Sequence, residues 1–256
     1  MYNFNQWKIS DKQPYYIGSG AHWEVYRLFL EEEQIINGFK FSQFIYKQDK
    51  DKSNSHIPKN IEVYEHIKKT KLPTLAFYFT EKYKGVEVII GEDLNANNLL
   101  FVSPNNARND TRETKLIMKL KGEKEKEYSK NENAEEILVN NKIKEILNFD
   151  DFINKIKIDM EAISHYDLLL CEDVFFFGTY RNKNSSEIFY KIADFETVAI
   201  NYDIKYSNDL VLRNTRFMLC SLCEYVEMFV DVTKKTNYQD RLNNEIKIIQ
   251  NILGEI

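Results

Sequence analysis

One strand lysine and a set of turn carboxylates carry the chemistry legible in this chain. Lys47 closes the apolar run Phe44-Ile-Tyr-Lys47, Asp167 lies in His165-Tyr-Asp-Leu-Leu-Leu-Cys-Glu-Asp173, and Asp194 heads Asp194-Phe-Glu196 directly after Lys191-Ile-Ala193. A lysine on a strand presents an ammonium that can reach phosphate oxygens, and a carboxylate on the following helix, Glu62, can hold it in place by an ion pair. A carboxylate in the turn after a long helix can orient a hydroxyl and take its proton, the role open to Asp167 with His165 beside it. Hard carboxylate oxygens suit Mg²⁺, which makes Asp194, Asp173 and Glu172 candidate metal ligands. Ahead of all these stands Ile17-Gly-Ser-Gly-Ala-His-Trp-Glu-Val25, where Gly18 and Gly20 flank Ser19. Missing Cβ atoms let backbone come close to a phosphate, and Val25 could cover a purine. Each feature taken singly has a plain counterpart: a glycine hairpin, a surface lysine, a capped helix end with solvated carboxylates. Their shared order along the chain is what points to one site.

The elements that must position these groups follow from periodicity. Tyr15 to Tyr46 is rich in aromatic and β-branched residues and punctuated by Gly18, Gly20 and Gly38, which predicts three antiparallel strands. Pro58 to Lys68 places Ile61, Tyr64 and Ile67 on one helical face, and Leu72-Pro73 ends that helix. Leu75 to Thr80 and Val86 to Ile90 read as a strand pair. The polar stretch Gly91 to Asn98 reads as a hinge, with Glu92 among the nucleotide-contacting candidates. Residues 104–136 are rich in mixed charge and poor in large apolar side chains, which predicts a solvated insertion. From Ile137, apolar residues at helical spacing (Ile143, Ile146, Leu147, Phe152, Ile156, Met160, Ile163) predict a long helix ending at Ser164. Strands at Val174 to Thr179 and Ile188 to Ile192 follow, and from Leu210 the pattern is helical. The expected organisation is an N-terminal nucleotide-binding lobe, 1–92, and a C-terminal catalytic lobe, 93–256.

Composition bounds the remainder. In 256 residues, 43% hydrophobic with 17 Phe, 16 Tyr and 2 Trp, there is enough apolar surface for one large core or two small lobes sharing a cleft. A formal net charge of -5 excludes the general basic field that drives phosphate-backbone binding, so no nucleic-acid partner is expected. Cys171, Cys220 and Cys223 are too few for a four-thiolate metal site, and Cys220-Ser-Leu-Cys223 lies in an apolar helical stretch, which suits packing rather than redox exchange. The first residues lack the basic and apolar blocks of a signal peptide. No apolar run approaches the ~20 residues of a membrane span, so a cytoplasmic location is expected.

The ordered motifs resemble those of the protein-kinase-like superfamily, which includes protein kinases and the aminoglycoside and choline kinases. The glycine loop at Gly18 and Gly20 with Val25 is similar to the protein-kinase form, and Phe-Ile-Tyr-Lys47 to its Val-Ala-Ile-Lys strand. His165-Tyr-Asp167 resembles the His-Arg-Asp triplet, and Asp194-Phe-Glu196 the metal-binding Asp-Phe-Gly. The resemblance implies an α+β, two-lobe fold, with a small, mostly antiparallel β N-lobe carrying one helix and a mainly helical, reduced C-lobe. It implies ATP and Mg²⁺ as cofactors, Lys47 on the α- and β-phosphates, Glu62 paired to Lys47, Asp167 as base and Asp194 as the main metal ligand. The implied activity is transfer of the γ-phosphoryl group to a hydroxyl acceptor, a protein serine or threonine or a small molecule. The alternative is a pseudokinase serving as a nucleotide-binding scaffold. Departures are specific: Trp23 replaces a third loop glycine, Tyr166 the triplet arginine, Glu196 the last glycine of the metal motif, and Glu172 or Asp173 the metal-binding asparagine. Glu92-Asp-Leu-Asn-Ala-Asn-Asn98 has catalytic-loop spacing through Asp93 and Asn98 but follows the glycine loop too soon, and is read as hinge. The short chain after Asp194 and the lack of an Ala-Pro-Glu string imply a reduced docking platform for protein substrates.

Overall fold

The strands of the first 92 residues form one antiparallel sheet. The computed structural model describes residues 4–12, 14–19, 22–36, 38–50, 55–95, 99–104, 141–180, 185–200 and 206–255. Strands β1 (Tyr15–Ser19), β2 (Trp23–Ile36), β3 (Phe39–Asp49), β4 (Tyr78–Tyr83) and β5 (Val86–Glu92) lie in the order β1-β2-β3-β5-β4, with helix α1 (Ile57–Lys69) between β3 and β4 in sequence. The β4–β5 hairpin turns on Lys84 and Gly85, both at positive φ (50° and 81°), the conformation that continues strand twist through a two-residue turn. One face buries Phe4, Leu28, Phe41, Phe44, Phe77 and Ile90 as a small, mainly aromatic core. The opposite face carries the row Val25, Lys47 and Ile89, directly paired across β2, β3 and β5. Trp23, Tyr78 and Ile89, with Val63, Tyr64 and Ile67 of α1, join the same buried cluster as the C-terminal helices, so the core is continuous between the two halves.

The second half begins with β6 (Leu99–Val102), β7 (Glu145–Ile146), helix α2 (Phe149–Ser164) and β8 (Leu168–Leu169). It continues through β9 (Phe175–Tyr180), β10 (Ser185–Ser186), β11 (Phe189–Ile192) and β12 (Ala199–Ile200) to helices α3 (Asn208–Phe229) and α4 (Val232–Leu253). β11, β9 and β6 form an antiparallel sheet, β7 pairs in parallel with β10, and β8 is antiparallel to β12. The Ser207 hydroxyl accepts from Leu210 N–H and the Asp231 carboxylate from Thr233 N–H, so α3 and α4 each start on a side-chain cap. The architecture is α+β, an antiparallel-sheet N-terminal region and a helical C-terminal part, compatible with a two-lobe kinase-like fold. Among the described residues no helix is long and apolar enough to cross a membrane.

One expected helix is shorter than its spacing implies. The helix predicted through Ile143 and Ile146 starts only at Phe149. Ile143 is in an extended bridge with Val230, its N–H donating to Phe229 C=O (2.9 Å) and its C=O accepting from Asp231 N–H (2.8 Å), and Ile146 N–H donates to the Tyr238 hydroxyl (3.1 Å), which satisfies this backbone without a helix. Leu99–Val102, beyond the hinge, is a strand because β9 offers its free edge there. The charged insertion lies, apart from Pro104, outside the described residues.

Candidate active site

Lys47 projects from β3 into the interior, 8% exposed, and its ammonium donates to Asp194 Oδ1 at 2.8 Å. Burial works to lower the Lys47 pKa, but the Asp194 charge, helped by Tyr78 and Glu196, outweighs it and holds the amine above its ordinary value. Burial pushes the Tyr78 phenol up to about 12; Lys47 opposes this, and Asp194 and Glu196 add to it. The Tyr78 hydroxyl donates to Asn60 Oδ1 of α1 at 3.2 Å.

Asp194 sits at φ 59°, ψ 63°, and Asp167 at φ 55°. These are two of the four non-glycine residues with positive φ among the described ones. Aspartate tolerates the left-handed region, at a cost of roughly 1 kcal/mol or more, and such outliers gather at functional loops. The β8–β12 ladder pairs Leu169 with Ala199 and Leu168 with Ile200, binding the segment after Asp167 to the segment after Asp194-Phe-Glu196. Asn214 of α3, fully buried, clamps the first segment: its amide donates to Leu168 C=O (2.8 Å) and Ser164 Oγ (3.1 Å), and its carbonyl accepts from Leu170 N–H (2.9 Å). The strand leading to Asp194 is held from the other half of the chain, with Ile192 N–H donating to Pro73 C=O (2.8 Å) and Thr74 Oγ1 to Ile192 C=O (2.9 Å).

The carboxylate that meets Lys47 is that of Asp194, not the expected Glu62. Asn60, Val63, Tyr64 and Ile67 form the buried stripe of α1, which turns Glu62 outward to an exposed position. α1 instead reaches the site through Lys59, whose Nζ donates to Glu196 C=O at 2.9 Å. The Glu196 side chain accepts from the Trp23 indole N–H, and the Lys47 ammonium lies 6.0 Å from the Trp23 ring centroid. His22, His56, Lys59, Asn60, Glu196 and Thr197 line a cavity of about 220 Å³ beside this contact.

Gly18 and Ser19 lie in β1, paired with Val25 and Glu24 of β2; Ile17 is half exposed, and Gly20 lies outside the described residues. Glu92 is spent on structure: it accepts from Ala76 N–H (2.7 Å) and holds the Lys191 ammonium at 2.6 Å, tying the hinge to β11. Asp93 likewise pairs with Arg27 and accepts from Gln43 (2.6 Å). His165 is exposed and stacks on Tyr206 at 4.0 Å. Tyr166, in the place of the triplet arginine, donates its hydroxyl to Lys69 C=O at the end of α1 (3.1 Å). Cys171 donates to Thr197 C=O at 2.9 Å; burial pushes its thiol pKa up, with the Asp173 and Asp194 charges adding to the effect. Ala193 N–H donates to Val174 C=O at 2.9 Å, which lays the segment of Asp173 beside that of Asp194, and burial drives the Cys220 thiol of α3 up to about 11, with the Glu172 charge adding to it.

Among the described residues no group of three or more His, Cys, Asp or Glu side chains could hold a metal ion alone. Asp194 and Asp173 fit the oxygen preference of Mg²⁺, which keeps waters and takes phosphate oxygens as further ligands. Trp23, Tyr78, Lys59 and Asn214 were not singled out as site residues by the sequence pattern. For Asn214 a signal existed, since it is a polar residue on the buried stripe Leu210-Asn214-Met218.

No family model matches the chain, and no curated protein matches it. Among solved structures it is similar to the Helicobacter pylori proinflammatory kinase CtkA, with 12% identity over 98% of this chain and 96% of that one and a TM-score of 0.43.

Proposed function

We propose that the chain is an ATP-dependent phosphotransferase, with residues 1–92 and 93–256 as its two lobes and a hydroxyl as acceptor. The observation that carries this is the buried Lys47–Asp194 pair, with Asp194 in a left-handed loop laddered to the loop of Asp167. A cation and a metal-ligating carboxylate already in contact are poised to separate onto the two parts of a Mg·nucleotide, Lys47 taking phosphate oxygens and Asp194, with Asp173, the metal. Mg²⁺, when bound, neutralises charge on the β- and γ-phosphate oxygens. Asp167 orients the acceptor hydroxyl and receives its proton as the acceptor oxygen–phosphorus bond forms and the bond to the β-phosphate oxygen breaks, releasing ADP. Gly18 and Val25, neighbours across β1 and β2, cover the nucleotide.

The expected result is γ-phosphate turnover by the wild type that Asp167→Ala and Asp194→Ala each reduce at least about 100-fold. Turnover no greater than that of the variants, on protein and small-molecule acceptors alike, would overturn the assignment. A nucleotide-binding scaffold without transfer is the second reading, favoured by Tyr166, which ties α1 where the related triplet has an arginine. Nucleotide binding without turnover would select it.

A further inference from the structure

Both glycine-to-larger departures from the kinase-like pattern fall on one contact. Trp23 stands where the glycine loop has its third glycine, Glu196 where the metal motif ends in glycine, and the indole N–H of the first donates to the carboxylate of the second. Trp23 lies on β2, which pairs with the strand of Lys47, and Glu196 lies two residues after Asp194 in the 3-10 turn Phe195–Thr197. Trp23 is 2% exposed and packs edge-on to His56 at the start of α1, and the ring of His22, the residue before it, lies tilted against the same His56 ring at 4.0 Å. The Glu196 backbone is anchored separately by Lys59 of α1. A glycine at either position could not make this link, because the link needs a donor on one side and an acceptor on the other.

We infer that Trp23 and Glu196 form a latch that positions the Asp194 loop against the glycine-loop strand, while Lys59 couples α1 to the same loop. The inference rests on the proposed phosphotransferase function. Glu196 is thereby a positioning residue, its Oε2 accepting from the indole N–H. Asp194 is presented to the metal from both halves of the chain, by β11 and by β2.

The test is a double-mutant cycle on Trp23→Phe and Glu196→Ala, with Mg²⁺ titrated in the presence of a fluorescent ATP analogue. Phenylalanine keeps a ring beside Lys47 and removes the N–H. Each single change is expected to weaken the apparent Mg²⁺ affinity roughly tenfold, the scale of one hydrogen bond to a charged group. The double variant is expected to be no weaker than either single one, because both remove the same contact. Glu196→Gln, whose amide oxygen still accepts, should stay within about threefold of wild type. Metal-free nucleotide affinity should change less than Mg²⁺ affinity, which a general loss of structure would not produce. Unchanged Mg²⁺ affinity, or additive losses, overturns the latch. The same cycle read on urea midpoints without nucleotide distinguishes the two failures. Coupling there in a protein that binds no nucleotide removes the phosphotransferase function and with it the positioning role. Nucleotide binding with no coupling in either measurement removes the latch alone.

Discussion

Lys47 is the residue on which the site turns, and its environment sets what replacing it costs. It meets Asp194 with side-chain exposures of 10% and 21%, so the pair is largely desolvated but not sealed. Removing one partner of a buried pair strands the other charge, while removing both is far milder. Lys47→Met is therefore expected to destabilise the fold by about 1–3 kcal/mol, discounted from the fully buried case for the partial exposure of Asp194. Adding Asp194→Asn should recover part of that loss in urea unfolding, while the proposed phosphoryl transfer is not restored. Lys47 and Asp194 stood out in the sequence because each follows an apolar strand run, Phe44-Ile-Tyr before Lys47 and Lys191-Ile-Ala before Asp194. Their pairing did not. Helical spacing fixes which residues of α1 share a face, but not the rotation of that face toward β3, and the buried stripe through Asn60, Tyr64 and Ile67 turns Glu62 out and Lys59 toward Glu196. Trp23 and Glu196 were visible only as two unrelated departures, since nothing in the chain order says that they meet.

Among the elements, the sheet of β6, β9 and β11 carries the strand that delivers Asp194, and its packing leaves no room at Gly178. A Cβ there would lie 2.6 Å from the Phe101 ring on the neighbouring strand. Gly178→Ala should cost about 1–3 kcal/mol through overpacking, and Phe101→Leu in the same background should return part of it. Thermal unfolding of the two variants and the double checks both statements. At a helix start, Ser207→Ala removes the hydroxyl that accepts from Leu210 N–H and should cost about 1 kcal/mol. Most elements followed from periodicity, down to the paired strands at Phe175–Tyr180 and Phe189–Ile192. The exception was Ile143 to Ile146, where apolar residues at helical spacing are extended instead. Spacing alone cannot separate the two when the deciding hydrogen bonds, those of Ile143 to Phe229 and Asp231 and of Ile146 to Tyr238, come from distant sequence.

For the whole molecule, the order of motifs announced two halves sharing a cleft, but not the ties between them. Glu92 with Lys191, Thr74 with Ile192 and Tyr166 with Lys69 each join residues far apart in sequence, and polar side chains on a hinge or turn give no sign of such a partner. These ties and the continuous core make one cooperative unit, whose pH response is a property of the whole fold. Burial raises the Tyr46 and Tyr78 phenols to about 12 and the Cys220 thiol to about 11, and the Tyr190 and Tyr225 phenols are also raised by burial. Lys47 is raised by Asp194 against the pull of its own burial. In every case the folded state holds its proton more tightly than the unfolded chain, whose values are 9.0 for cysteine, 10.0 for tyrosine and 10.5 for lysine. Their stabilisation is thus complete below about pH 9 and is lost as pH rises through the folded values. Urea midpoints measured from pH 7 to 11.5 should stay level with respect to these groups up to about pH 9 and then fall steeply. Tyr190→Phe should flatten that fall, because it removes a phenol whose ionisation is held back in the fold by burial and by Asp159, although it also lowers the plateau by breaking the 2.5 Å bond to Asp159. A midpoint that holds level through pH 11.5 would mean that these groups titrate in the folded protein as they do in water, and that the interior joining the two halves is open to solvent.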